Sequence, residues 1–600
     1  MVKAVVIPFV VIRRAVDATI VVLAAALLLI LALGGVDYSW GAAHIRLHDW
    51  HRPLALLLAA AGARGALGVR GAGGAGGARG ARDALSRYVA THGLLALLLA
   101  AAAMYATYQV RVCGGLDSYG YVSTGSLIAS GHLTERQPLV PLLPFEQASA
   151  AAAPLGYVAG VDGRTQVPRF PIGLPLVMAL FKIMFGDAGP FFVPLVMAYV
   201  TIAIAFLLAT DAQQLQSRRD IVAGLFAAAI VAVNPLFVDY AIQPMSDVPA
   251  ACWLLAAVWI GGSKRTRPTY AGQTRPKYVG RTSLTYVGRV FLDPATLAGF
   301  CAGMAFLTRP ALLPAAIVIG LVSFGSSWRA LVRFGVTLAL FVAVQMVVNV
   351  VLYGNVALSG YGPASYMFEL SQSRLVANAS NFGKWLTHSQ SVVFWALWPA
   401  ALLVLRERKW AWQMSAVAAA AALPYLFYLV FDDWESTRFL LATILIVLIL
   451  AADAMALLLR RWRPALAGPA LLVIALVCAM ASHRFLQRED VYRLRDAEAK
   501  YALAGEWIRA RTPERAVVLA GLHSGSIRFY GSRATIRWDE VPSDKLSATL
   551  HSLEAAGYQP YLALDLPSEP PLFADRFRGD PGVRIEQIGR VRVVNFYRFF

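Results

Sequence analysis

Apolar runs of roughly 17–22 residues recur along this chain, each long enough to cross a bilayer core of ~30 Å. No other feature restricts the fold as much. In hydrocarbon a backbone must satisfy its own hydrogen bonds, so such runs are read as membrane-crossing helices. The 600 residues are 58% hydrophobic and only 15% charged. A soluble protein of this size does not need that much apolar surface. The chain therefore reads as a polytopic α-helical, multi-pass membrane protein. Its net charge of +19, from 54 Lys and Arg against 35 Asp and Glu, would suggest nucleic acid in a soluble protein. In a membrane protein it reflects Arg and Lys gathered on cytoplasmic loops, so no nucleic-acid partner is expected.

Taken in order, the apolar runs predict about thirteen transmembrane helices with the N-terminus cytoplasmic. They lie near 15–35, 53–69, 92–110, 188–210, 220–238, 247–262, 295–308, 311–326 and 331–352. Two more flank the inner Arg406–Lys409, one follows Arg438, and the last is near 464–482. Basic residues before the first run, without a small-residue cleavage site, predict a retained span rather than a removed signal peptide. The Gly/Arg-rich stretch at 70–87 reads as a flexible inner loop. The basic segment 263–294 carries a short repeat, KYVGR and TYVGR, and reads as an insertion at the anionic inner membrane surface.

The predicted domains are 1–110, N-terminal helices; 111–187, a first large outer loop; 188–484, the transmembrane core; and 485–600, a small α/β domain beyond the membrane. In the outer loop, RFPIGLPLVMALFKIMFG is apolar but closed by Pro, Gly and Lys182, which predicts a helix lying in the interface. In the last domain an amphipathic helix over Asp490–Arg511 precedes strand-like runs at RAVVLAG, YQPYLALDL and VRIEQIGRVRVVNFYRF. Cys113, Cys252, Cys301 and Cys478 have no paired spacing, so neither a zinc site nor a disulfide framework is indicated.

The ionisable residues carry the functional signal. Asp117, Arg169, Asp239, Asp247, Arg309, Asp432, Asp433, Glu435 and Arg438 all fall at or just beyond the predicted outer ends of spans. Asp453, near the inner end of the twelfth span, is the main exception. An ion-coupled transporter would instead place acids or broken helices near the midplane. Charges at the outer boundary suit a substrate with its lipid tail in the bilayer and its polar head outside. There a carboxylate would activate an acceptor, and arginines would grip a phosphate in bidentate fashion. Each residue also has a plain structural reading. Asp117 is a helix-terminal acid facing water, Asp247 in MSDVP is a helix cap, and Arg309 snorkels from a hairpin tip. Asp432, Asp433 and Glu435 read as a solvated turn. His132 and His388 lack a second ligand at helical spacing.

Read together, five motifs in order resemble the GT-C membrane glycosyltransferases, the group of protein O-mannosyltransferases and bacterial aminoarabinose transferases. They are Asp117 with Tyr121 and the helix ending at Gly131; RFPIGLPL from Arg169; NPLF…MSD from Asn234 to Asp247; AGFCAGMAFLTRP from Ala298 to Pro310; and Arg438 before an apolar helix. The resemblance runs from about 113 to 460. It implies transfer of a sugar from a polyprenyl-phosphate donor to a glycan, lipid or protein acceptor, at the extracytoplasmic face of the inner (plasma) membrane, in work on the cell envelope. It implies catalytic roles for Asp117 and Asp247, and substrate binding by Tyr121, Arg169, Arg309 and Arg438. Many relatives have Asp-Glu at the first acid, whereas Ser118 follows Asp117 here. That leaves the metal unassigned and a divalent cation open. The other readings are a lipid or polysaccharide transporter or flippase, and a non-catalytic envelope assembly protein.

Overall fold

The computed structural model describes residues 36–40, 43–47, 77–211, 221–262, 293–580 and 583–600. The spans predicted at 15–35 and 53–69, and the insertion carrying KYVGR and TYVGR, lie outside the described residues.

Five described helices are long and apolar enough to cross a membrane, or six when the bent pair Ile221–Ala232 and Pro235–Ala241 is taken as one span. Four shorter apolar helices join them: Asp247–Gly262, Pro294–Thr308, Pro310–Phe324 and Val393–Val404. This is a membrane protein. Helix Trp328–Tyr353 shows why. Val332, Val336, Leu340, Val347 and Val351 are exposed at steps of four and seven residues, a continuous apolar stripe that no described residue covers. Helix Ala467–Arg488 exposes Leu472, Val473, Leu476, Val477 and Met480 in the same way. Faces of this size are met by lipid. The enclosed centre is helix Leu441–Trp462, where all but two residues from Leu441 to Ala456 are buried.

Local chemistry sets the breaks. Asn234 caps helix Pro235–Ala241 by accepting from the Phe237 N–H, with proline at the first helical position. Val233 and Asn234 interrupt the run, and the helix turns by 65°. Asp293 caps Pro294–Thr308, accepting from the Ala295 and Thr296 N–H groups. The predicted interface helix is Gly173–Phe185, with Leu174, Met178 and Ala179 buried and Leu180, Ile183 and Met184 exposed. It is separated from helix Gly189–Asp211 by Gly186, whose φ of 67° suits glycine. The segment expected to be a flexible loop at 70–87 is helical from Gly77, and helix Gly77–Tyr108 runs on into the span. Ala and Arg are good helix formers, and the sequence GARGARDALSR contains enough of them to extend the helix.

The first outer loop folds around helix Asp117–Ala129 and a three-stranded antiparallel sheet of Glu135–Arg136, Thr165–Pro168 and Tyr157–Ala159. The C-terminal residues form a five-stranded mixed sheet. Its order is Ile585–Val591, Val594–Phe599, Gln559–Asp565, Ala516–Ala520 and Ala534–Ile536. The last three strands are parallel, so each needs a helical crossover, supplied by Ser524–Gly531 and Leu546–Ala555. The loop and this sheet share a core. Leu139, Leu143, Ala151 and Ala152 pack with Val517, Leu519, Leu553 and Leu562. All four cysteines are free.

Candidate active site

Asp117 is the first residue of its helix, following the turn Gly114–Gly115. Ser118 ties this turn down, its Oγ donating to the Gly114 carbonyl at 2.8 Å and accepting from the Gly114 N–H at 3.1 Å. The C-terminal residues close it from the other side. Tyr530 Oη accepts from the Cys113 N–H at 2.9 Å. The Tyr501 ring lies so close to Gly114 that a Cβ there would meet its Cγ at 2.0 Å. Gly114→Ala should therefore destabilise the protein by about 1–3 kcal/mol, the usual cost of overpacking. Melting in detergent measures it, and in a Tyr501→Ala background, where the ring is gone, the same glycine change should cost far less.

Two acid–arginine pairs meet beyond this turn. Arg438 Nη2 donates to Asp117 Oδ2 at 3.0 Å, joining residues far apart in the chain. Arg309 Nη2 donates to Asp247 Oδ1 at 2.5 Å. Arg309 Nε also donates to Ser246 Oγ at 3.3 Å, and Tyr121 Oη donates to the same oxygen at 3.0 Å. Phe439 joins the two pairs, its ring centroid 5.3 Å from the guanidinium carbon of each arginine. A ring face between two cations is favourable to both. Tyr425 stacks on the Phe439 ring itself, at 5.3 Å between centroids, and the Arg438 guanidinium also lies over Tyr240. Tyr121 is enclosed, and burial, then the Asp117 charge, push its hydroxyl well above the usual phenol range. It remains a donor.

The arrangement corrects three expectations. Asp239 and Asp247, expected at the outer surface, are each only 2% exposed. The bend after Asn234 turns their segment back into the protein. Asp239 is satisfied by Gln243, whose Nε2 donates at 2.7 Å. Arg309, expected at the outer tip of a hairpin, has an extended backbone at the end of its helix and a side chain only 14% exposed, which leaves no room for the snorkelling alternative. Gly173 permits this. Its Cα packs so tightly on Leu307 and Thr308 that a Cβ would fall 2.4 Å from the Thr308 nitrogen.

The structure thus brings Asp117, Tyr121, Asp247, Arg309 and Arg438 together. Arg169 stands apart, over the Tyr361 ring at 5.6 Å. Phe170 connects it to the cluster, packing on Tyr121 at 4.7 Å and on Tyr361 at 5.8 Å between centroids. Asp432 binds Lys384 and Trp385 near the surface, and Asp433 caps the Ser436 N–H. His388 pairs with Glu489, and Asp453 with Arg408. Ser246, Tyr240, Tyr425 and Phe439 were not singled out in the sequence. Tyr240, Ser246 and Phe439 each adjoin a residue that was, which is the only signal they carry.

Two oxygens in the cluster are open. Asp247 Oδ2 is buried without a hydrogen-bond partner, and Asp117, 26% exposed, uses only Oδ2 for Arg438. A buried acceptor left open is a place for a substrate donor. A resident metal does not fit. Both carboxylates are already held by guanidinium groups, and no group of three His, Cys, Asp or Glu converges among the described residues.

No protein-family model matches the sequence, and no curated protein does. Among solved structures the chain is similar to ArnT from Cupriavidus metallidurans in the apo state. The TM-score is 0.50 at 15% identity, covering 85% of this chain and 98% of that one. The same protein bound to undecaprenyl phosphate matches with TM-score 0.47 at 13% identity, covering 86% and 97%. The Archaeoglobus fulgidus oligosaccharyltransferase tethered with an acceptor peptide matches with TM-score 0.47 at 14% identity, covering 80% and 70%.

Proposed function

We infer that this chain, which has the fold of the GT-C membrane glycosyltransferases, transfers a sugar from a polyprenyl-phosphate donor to an acceptor hydroxyl. The observation that carries the reading is the cluster of two carboxylates and two arginines around Phe439. Arginine forks match phosphate oxygens, and each guanidinium has N–H groups beyond those its aspartate uses. The donor phosphate lies against Arg309 and Arg438, with its tail among the apolar helices. Asp117 Oδ1 takes the proton of the acceptor hydroxyl. The acceptor oxygen then bonds to the anomeric carbon as the bond from that carbon to the phosphate oxygen breaks. The electron pair leaves with the phosphate, where the two guanidinium groups meet the developing charge. Asp247 Oδ2 accepts from the acceptor and orients it.

The test is transfer by purified protein in detergent, using polyprenyl-phosphate sugars with labelled sugar and a mixture of envelope glycans, lipids and proteins as acceptors. Label that stays on the donor with every acceptor class would overturn the reading.

The reading places the N-terminus inside and 485–600 outside an inner (plasma) membrane, with about thirteen crossings. Alkaline phosphatase fused after Phe600 should be active, and the same reporter placed within 263–294 should be silent. Activity in the second fusion would reverse the orientation and put Asp117 on the wrong side for a lipid-linked donor.

A further inference from the structure

A groove beside the cluster is unexplained by the donor. Its larger part, about 350 Å³, is lined by Arg169, Tyr361, Tyr366, Arg537 and Glu540, so the outer loop, the segment after Tyr353 and the C-terminal sheet region all contribute. A smaller part, about 270 Å³, adjoins it and is lined by Tyr353 and Ser359. The two parts share Val158, Ala159 and Gly360, so together they form an elongated trough.

Its charges are unequal. Arg537 pairs with both Asp539 and Glu540, the latter at 3.0 Å, so it offers no free positive charge and this end of the groove is net negative. Arg169 has no carboxylate within ion-pair distance among the described residues. Its Nε is buried with no hydrogen-bond partner among the described residues, and the Tyr361 ring lies 5.6 Å from its guanidinium carbon. One guanidinium is therefore uncompensated in a pocket with tyrosine walls. Tyrosine rings take the apolar face of a pyranose and offer a hydroxyl at the edge. A free guanidinium takes a planar carboxylate or a phosphate.

The position matters as much as the lining. Phe170, next in sequence to Arg169, packs on Tyr121, which bonds Ser246 beside Asp247. The trough is one aromatic layer from the acid–arginine pairs, and it is walled by residues of 150–169, by the segment from Tyr353 to Tyr366 and by Arg537 and Glu540.

We propose that the trough is the acceptor subsite, and that it takes a saccharide chain bearing an anionic group against Arg169. The proposal rests on the transferase reading for the word acceptor, but binding is measured without donor. Purified full-length protein should be titrated with trigalacturonate, galactotriose and glucose 6-phosphate, and melted alongside as a folding control. An anionic sugar should bind at least tenfold more tightly than neutral galactotriose. Preference for trigalacturonate assigns a carboxylate, and preference for glucose 6-phosphate a phosphate. Arg169→Gln should erase the preference at unchanged melting temperature. Tyr366→Ala, at a ring 62% exposed, should weaken the neutral and anionic trisaccharides alike. Equal binding of charged and neutral sugars, or a preference that survives Arg169→Gln, overturns the proposal. Arg169-dependent binding with no transfer would sink the transferase reading and leave the saccharide site. Transfer whose acceptor KM ignores Arg169→Gln would do the reverse.

Discussion

Asp117→Asn should abolish transfer, with turnover down by roughly 10²–10⁴-fold, the usual contribution of a positioned general base. Asparagine keeps the size of the side chain and an oxygen for Arg438, but it cannot take the acceptor's proton. The fold should tolerate the change. Asp117 and Arg438 are 26% and 23% exposed at the side chain, and a partly exposed pair is worth at most about 1 kcal/mol. The turn itself is held by Ser118, Tyr501 and Tyr530, none of which depends on the carboxylate. Expression and melting temperature should therefore match the parent protein. Initial rates at saturating donor and acceptor check the effect, and near-parental turnover would remove Asp117 from the role of base.

Arg309 should be more costly to lose, because it is buried with its partner. Arg309→Ala leaves Asp247 enclosed and unpaired, and breaking one side of such a pair typically costs about 3–5 kcal/mol of stability. Loss of activity in that variant is therefore ambiguous. Arg309→Lys is the informative change. A lysine keeps the charge beside Asp247 and much of the stability, but it presents a point charge where a planar fork would meet two phosphate oxygens. Losing a contact of that kind in the transition state is worth ~2–4 kcal/mol, so turnover should fall by roughly 30- to 10³-fold with little change in melting. Full activity in the lysine variant would make Arg309 a structural counter-ion and leave the phosphate to Arg438.

The site was legible in the sequence because charge is rare in it. An acid or arginine at the end of an apolar run stands out, and Asp117, Asp247, Arg309 and Arg438 were found that way. What they bond to was not legible. Arg438 reaches Asp117 across 321 positions and Arg309 reaches Asp247 across 62, and no local spacing records such pairings. Depth was misjudged for the same reason. NPLFVDYAIQPMSD reads as an outer turn, but a cap at Asn234 and a 65° bend fold it inward. Among the described residues, the apolar helices were legible wherever the runs were long. The three short strands around Tyr157 were not, since two to four residues give no periodicity to read.

The contact between Cys113 and Tyr530 spans 417 positions, and it has a consequence for biogenesis. A ribosome that has delivered every membrane helix has still not delivered the phenol that holds the Asp117 turn, or the sheet whose core the first loop shares. During synthesis residues 111–187 must wait, with Leu139, Leu143 and Tyr119 uncovered, until the last hundred or so residues have been made and have paired their strands. Long-range closure of this kind is slow and leaves apolar surface exposed meanwhile. A nascent or prematurely terminated chain would therefore already hold Arg309 and Arg438, yet lack the contacts that close the Asp117 turn. Incomplete molecules would be silent, and quality control would have a patch to recognise.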